Sequence, residues 1–138
     1  SPPSDRYTGR IRGKGMLLMF KGIYQLARRR LVSALVYSIE GFGAAWNSEE
    51  AVKVEFALLP LLTVLALYLR EDGLSRALLI SVLILVVVVE LLNTAIEKTI
   101  DRISTENNPL SKKVKDMGSA AVLGAIINAV VVWGFVLS

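Results

Sequence analysis

Residues 77–96 read ALLISVLILVVVVELLNTAI, twenty residues with a single charge at Glu90. At about 1.5 Å per residue a helix of this length covers roughly 30 Å, one hydrocarbon thickness. The stretch predicts a transmembrane helix, and the rest of the chain is read outward from it. Before it, Phe56–Leu69 holds 14 uncharged residues, and the helix extends back to about Glu50 with Lys53 and Glu55 at headgroup level. Pro60 is tolerable there, because neighbouring groups in a membrane bundle re-satisfy the freed carbonyl. After it, Met117–Ser138 holds 22 residues without a charge. Three spans are predicted, over about 50–69, 76–101 and 114–137.

The composition agrees. The chain has 138 residues, of which 54% are hydrophobic and 20% charged, and its mean hydropathy is +0.55. A soluble domain of this size needs more polar surface. His and Cys are absent. That excludes a disulfide framework, a zinc cluster, a cysteine nucleophile and a Ser-His-Asp triad within the chain. Acid–base chemistry must use Asp, Glu, Lys or Tyr. The net charge of +4 points to a cytoplasmic membrane face rather than to nucleic acid.

Residues 1–22 begin with Pro, Gly and charge and read as a mobile tail. From Ile23 to about Ser48, Ile23, Leu26, Ala27, Leu31, Ala34, Leu35 and Ile39 recur at helical spacing around Arg28, Arg29 and Arg30. This predicts an amphipathic helix on an anionic leaflet. The fold class is therefore an all-α membrane protein: a surface helix plus three transmembrane helices, with residues 23–138 forming one domain.

Basic residues set the orientation. Residues 1–50 hold eight Lys/Arg and Lys98–Lys115 hold five, against two in the loop 70–76, where Glu71 and Asp72 offset them. The positive-inside rule places the N-terminus and the 104–113 loop in the cytoplasm.

Glu90 is the most informative residue. An ionised carboxylate among aliphatics in a membrane costs several kcal/mol, so intramembrane acids are functional candidates. Asn93, Glu97 and Asp101 follow at i+3, i+7 and i+11, within roughly 80° on one helix face. The stripe runs from lipid toward the cytoplasm, where a group emerging from lipid can meet a soluble reactant. Lys115 and Asp116 start the third span on the same side, and Glu49, Glu50 and Glu55 start the first. Carboxylates without His or Cys are hard oxygen ligands suited to Mg²⁺, which takes one or two of them and completes its shell with phosphate oxygens and water. A nearby Lys neutralises phosphate charge. The pattern suits nucleotide-dependent phosphoryl transfer at a membrane surface. The segment Gly9–Gly15, by contrast, lacks the spacing, the Ser/Thr and the preceding strand of a phosphate loop. Gly118, Ser119, Ala120, Ala121, Gly124 and Ala125 predict close helix packing near the start of the third span.

The block from Glu90 through Asn93, Thr94, Ala95, Ile96 and Glu97 to Asp101, followed by Lys115-Asp116-Met117-Gly118-Ser119, resembles the small prokaryotic diacylglycerol kinase family. The resemblance covers about Arg30–Ser138, including Ala44-Ala45-Trp46 and Glu49. It implies a homotrimer with active sites shared between subunits, and ATP- and Mg²⁺-dependent phosphorylation of a lipid hydroxyl at the bacterial inner membrane. By position it implies Glu90 as general base and Asn93 as the residue positioning the reacting groups. Glu49 and Glu97 would hold the metal. Arg30, Tyr37, Glu106, Asn107, Asn108, Lys115 and Asp116 match nucleotide-contacting positions, together with Glu49 and Glu97. Ser38, Trp46, Glu90 and Ser119 match positions near the lipid.

Two stretches depart from the family pattern: Ile39-Glu40-Gly41-Phe42-Gly43 has no basic residue, and Glu106-Asn107-Asn108-Pro109 lacks an aromatic-His pair. A sister branch acts on undecaprenol, so that acceptor stands beside diacylglycerol. A transporter with Glu90 as relay is disfavoured, because Ala77–Val89 offers only Ser81 as a polar group. A non-catalytic scaffold would make Glu90→Gln and Glu97→Gln silent.

Overall fold

The computed structural model describes the backbone of residues 4–47 and 50–138 and the side chains of residues 12–47 and 52–138. Four helices follow in order: α1 (Ser4–Trp46), α2 (Glu50–Leu69), α3 (Gly73–Ile103) and α4 (Pro109–Leu137). There is no strand among the described residues. The last three helices are long and apolar enough to cross a membrane, as the hydropathy predicts. The chain divides into two compact units, Ser1–Gly41 and Phe42–Ser138.

The first unit is one helical rod. It takes in residues 4–22, which the sequence reading assigns to a tail; residues 1–3 lie outside the described residues. The glycines at 9, 13, 15 and 22 weaken a helix by up to about 1 kcal/mol each relative to Ala. With no Pro after Pro3 until position 60, however, nothing blocks the backbone ladder. Every side chain from Arg12 to Ala44 is exposed.

In the second unit α3 is the inner helix. It packs along α4 and more briefly on α2, and it carries the buried residues Leu79, Val82, Leu83, Glu90, Asn93 and Thr94. Val52 and Ala66 of α2 and Ala125 of α4 complete the small core, with Ala45. Phe42 and Phe56 meet edge to face at 5.9 Å. Large aliphatics and aromatics such as Leu61, Val64, Val130 and Phe135 remain exposed. An apolar surface of this extent belongs in lipid or against other membrane helices.

The two connections are built from capping chemistry. Only residues 70–72 separate α2 from α3, so these helices run antiparallel. The Asp72 carboxylate accepts from the Ser75 N–H at 2.9 Å and caps α3. Hydrogen bonds from the Ser75 hydroxyl and N–H hold that carboxyl below the usual aspartate range. Both basic residues of this turn satisfy carbonyls left open at helix ends. Arg76 donates to the Arg70 carbonyl (2.6 Å) and the Leu67 carbonyl (2.9 Å), and Arg70 donates to the Val136 carbonyl of α4 (2.6 Å). At the other end Asn108 caps α4, its Oδ1 accepting from the Leu110 and Ser111 N–H groups, with Pro109 as the first helical residue. The Trp133 indole N–H donates to the Leu79 carbonyl at 3.2 Å, pinning α4 to α3.

Candidate active site

The acidic stripe lies on α3. Glu90 and Asn93 are 8% and 7% exposed, Thr94 is buried beside them, Glu97 is half-buried and Asp101 is exposed. Polarity thus emerges gradually along one helix face, from a buried acid to a wet one. Asn93 donates through Nδ2 to Glu97 Oε1 at 3.4 Å, so the amide orientation is tied to the carboxylate one turn on.

α4 closes this face with a glycine. Gly118 is buried, and a Cβ placed on it would fall on Asn93 Oδ1, with Asn93 Cγ 3.2 Å away. The Asn93 Oδ1 atom is itself buried without a hydrogen-bond partner among the described residues. A buried amide oxygen left open is costly, and here it stands between Glu90 and Glu97 on the stripe. Small residues near the start of the third span are legible in the sequence; that one of them seats Asn93 is not.

Lys115 reaches across to α3 and pairs with Asp101 at 2.7 Å. Asp116 turns to its own helix and pairs with Lys112 at 2.6 Å. Lys115 therefore joins the wet end of the stripe and Asp116 does not. Asp101, which the sequence reading leaves out of the nucleotide set, becomes the residue that orients Lys115. Glu106 and Asn107 are exposed in the connection 104–108, where Asn108 serves as the α4 cap. Ser119 and Trp46 are exposed. In the first unit, Arg30 and Tyr37 are exposed on α1, with Arg29 and Ser33 beside them. Ser38 donates its hydroxyl to the Ala34 carbonyl. Glu49 lies outside the described residues.

Glu55, read from the sequence at headgroup level, is half-buried at the wall of an apolar cavity of about 430 Å³ among α2, α3 and α4, lined by residues including Leu59, Leu83, Val87, Ile126 and Trp133. Its Oε2 is buried without a partner among the described residues.

No group of three or more acidic side chains gathers closely enough to hold a metal among the described residues. The donors present are carboxylate oxygens. They fit a hard divalent ion held by one or two protein ligands and otherwise by phosphate oxygens, with Glu97 as the described candidate.

Fold and site together define an all-helical protein with three helices fit to cross a membrane and a buried acid that leads along one helix face to an exposed acid–base pair. The sequence pattern of prokaryotic diacylglycerol kinase matches residues 36–137. The diacylglycerol kinase of Escherichia coli strain K12 is 48% identical over 108 residues, covering 78% of this chain and 88% of that protein. The diacylglycerol kinase of Pseudomonas aeruginosa PAO1 is 44% identical over 118 residues, covering 86% and 94%. That of Haemophilus influenzae Rd is 39% identical over 107 residues, covering 78% and 91%. The chain belongs to the prokaryotic diacylglycerol kinase family and is a lipid kinase.

Proposed function

We propose that this protein transfers the γ-phosphoryl group of ATP to the hydroxyl of diacylglycerol, giving phosphatidic acid at the cytoplasmic face of the bacterial inner membrane. The observation that supports it most is the buried Glu90–Asn93 pair at the lipid end of a stripe that continues to half-buried Glu97. All three named relatives are diacylglycerol kinases, which favours that acceptor over undecaprenol.

In this reading Glu90 accepts the proton of the lipid hydroxyl as its oxygen attacks the γ-phosphorus and ADP departs. Geometry and proton transfer would supply the acceleration, as is usual when the phosphoryl group itself needs little covalent assistance. Asn93, held by Gly118 on one side and Glu97 on the other, orients the reacting groups. Glu97 and Glu49 would hold Mg²⁺, which would neutralise phosphate charge when bound. Lys115, directed by Asp101, meets the phosphates. Asp116, Arg30, Tyr37 and the 106–108 stretch complete nucleotide binding, and Ser38, Trp46 and Ser119 lie by the lipid. The N-terminus faces the cytoplasm. The chain works as a homotrimer with sites shared between subunits, which fits the large apolar area that one chain leaves uncovered.

The test is phosphate transfer from labelled ATP in mixed micelles, with diacylglycerol and undecaprenol offered in parallel and Mg²⁺ present or chelated. Label in phosphatidic acid that depends on Mg²⁺ is expected. Label only in undecaprenyl phosphate would overturn the acceptor, and label in neither from a folded oligomer would overturn the reaction.

A further inference from the structure

We infer that Asn93 is a positioning residue for Glu97: its amide engages one carboxylate oxygen and leaves the other to a divalent ion, and Gly118 of α4 sets the amide. This rests on the metal role proposed for Glu97 above. Glu97 stands one turn after Asn93 on α3, and Asn93 Nδ2 donates to Glu97 Oε1 at 3.4 Å. An ionised carboxylate only accepts hydrogen bonds, so the end of the amide that faces it is the NH₂ group. The amide oxygen is thereby turned away. Asn93 Oδ1 is buried without a hydrogen-bond partner among the described residues and lies where a Cβ on Gly118 would stand. The group of Gly118 that faces it is a Cα–H, at best a weak donor. Turning the amide over would set oxygen against oxygen at Glu97, acceptor against acceptor.

Burial decides which partner directs the other. Asn93 is buried against α4, whereas Glu97 is half-buried where the stripe becomes wet. The better-packed side chain therefore fixes the freer one. With Oε1 engaged by the amide, Oε2 is the oxygen presented to an ion. Mg²⁺ demands near-octahedral geometry and takes only one or two protein carboxylates, so the direction of a single oxygen weighs heavily. Groups that orient a metal ligand in this way account for about 10–100-fold in metal affinity. Gly118 belongs to the same chain of contacts: the packing of α4 on α3 reaches the metal ligand through one amide.

The test reads metal binding without turnover. β,γ-Imido-ATP is titrated calorimetrically into the full chain in mixed micelles, once with Mn²⁺ and once with a chelator. The ratio of the two affinities is the contribution of the metal, and it cancels changes in nucleotide binding that do not involve the ion. Asn93→Ala is expected to lower the ratio about 10–100-fold. Gly118→Ala, which keeps the amide but displaces it, should lower it in the same direction; Asn93→Ala introduces no clash and decides the matter if Gly118→Ala does not fold. Glu97→Gln should lower the ratio as well. Asn93→Ala added to Glu97→Gln should lower it no further, because the amide acts through that carboxylate. An unchanged ratio in Asn93→Ala, or a full further loss in the double variant, would overturn this inference and leave Glu97 as the metal ligand. An unchanged ratio in Glu97→Gln would overturn the metal role and this inference with it.

Discussion

Gly118 of α4 lies so close to Asn93 of α3 that a methyl group at 118 would occupy the place of the Asn93 amide oxygen. The contact joins the two helices at the buried part of the acidic stripe, and it couples packing to the orientation of a single side chain. Asn93 is braced on its other side by Glu97. Any residue larger than glycine at 118 must push the amide out of this setting.

Gly118→Ala is therefore expected to lower kcat by about 10–100-fold, the scale of a misplacement of roughly 1 Å at a reacting centre. The overpacking itself should cost about 1–3 kcal/mol of stability. Steady-state kinetics in mixed micelles checks the first, and thermal unfolding of the same preparation checks the second. A drop in stability with unchanged kcat would remove Asn93 from the chemistry.

Glu90→Gln should reduce turnover by at least about 10²–10⁴-fold, the usual weight of a positioned general base, while nucleotide affinity stays near that of the parent. Glu97→Gln should weaken Mg-nucleotide binding as well as turnover. Calorimetric titration with a non-hydrolysable nucleotide, beside the kinase assay, separates the two. Glu90→Gln retaining most of its rate would refute the assignment of the base.

The Asp101–Lys115 pair is part-exposed, with side-chain exposures of 52% and 38%. Its loss should cost less than about 1 kcal/mol in stability. Lys115→Ala should nevertheless raise the KM for ATP by at least about tenfold, because the cation proposed to meet the phosphates is removed. Asp101→Asn should have a smaller effect of the same kind. Equal effects of the two substitutions on stability, with none on KM, would make the pair purely structural.

At the opposite end, Arg70→Ala leaves the Val136 carbonyl without its donor. A loss of about 1–3 kcal/mol is expected, read as a lower unfolding temperature with kcat per folded enzyme unchanged, since this turn lies at the far end of α3 from Glu97. A large fall in kcat at unchanged stability would show that this end communicates with the site.

Asp72 gives a pH dependence of known sign. Its carboxyl sits below the usual range in the folded protein because Ser75 donates to the ionised form. Its contribution is then complete above the unfolded value of about 3.9 and is lost as pH falls through the lower folded value. Asp72→Ser keeps a capping oxygen and removes the charge. Its unfolding temperature should follow the parent's at neutral pH and fall less between about pH 5 and pH 2, measured by circular dichroism.

The three spans, their order and the alignment of Glu90, Asn93, Glu97 and Asp101 on one face were all legible in the sequence. Hydropathy and the 3.6-residue period act locally, so residues on one helix keep their relation wherever that helix packs. Relations between helices are different. That Gly118 rather than another small residue of α4 seats Asn93, that Lys115 pairs with Asp101 while Asp116 pairs with Lys112, and that the Trp133 indole reaches the Leu79 carbonyl all depend on how far α4 slides and turns along α3. A shift of one residue along the axis is only about 1.5 Å but rotates the facing side chains by about 100°. The crossing of α3 and α4 is set by the sum of their contacts, and it alone decided which of the candidate residues meet.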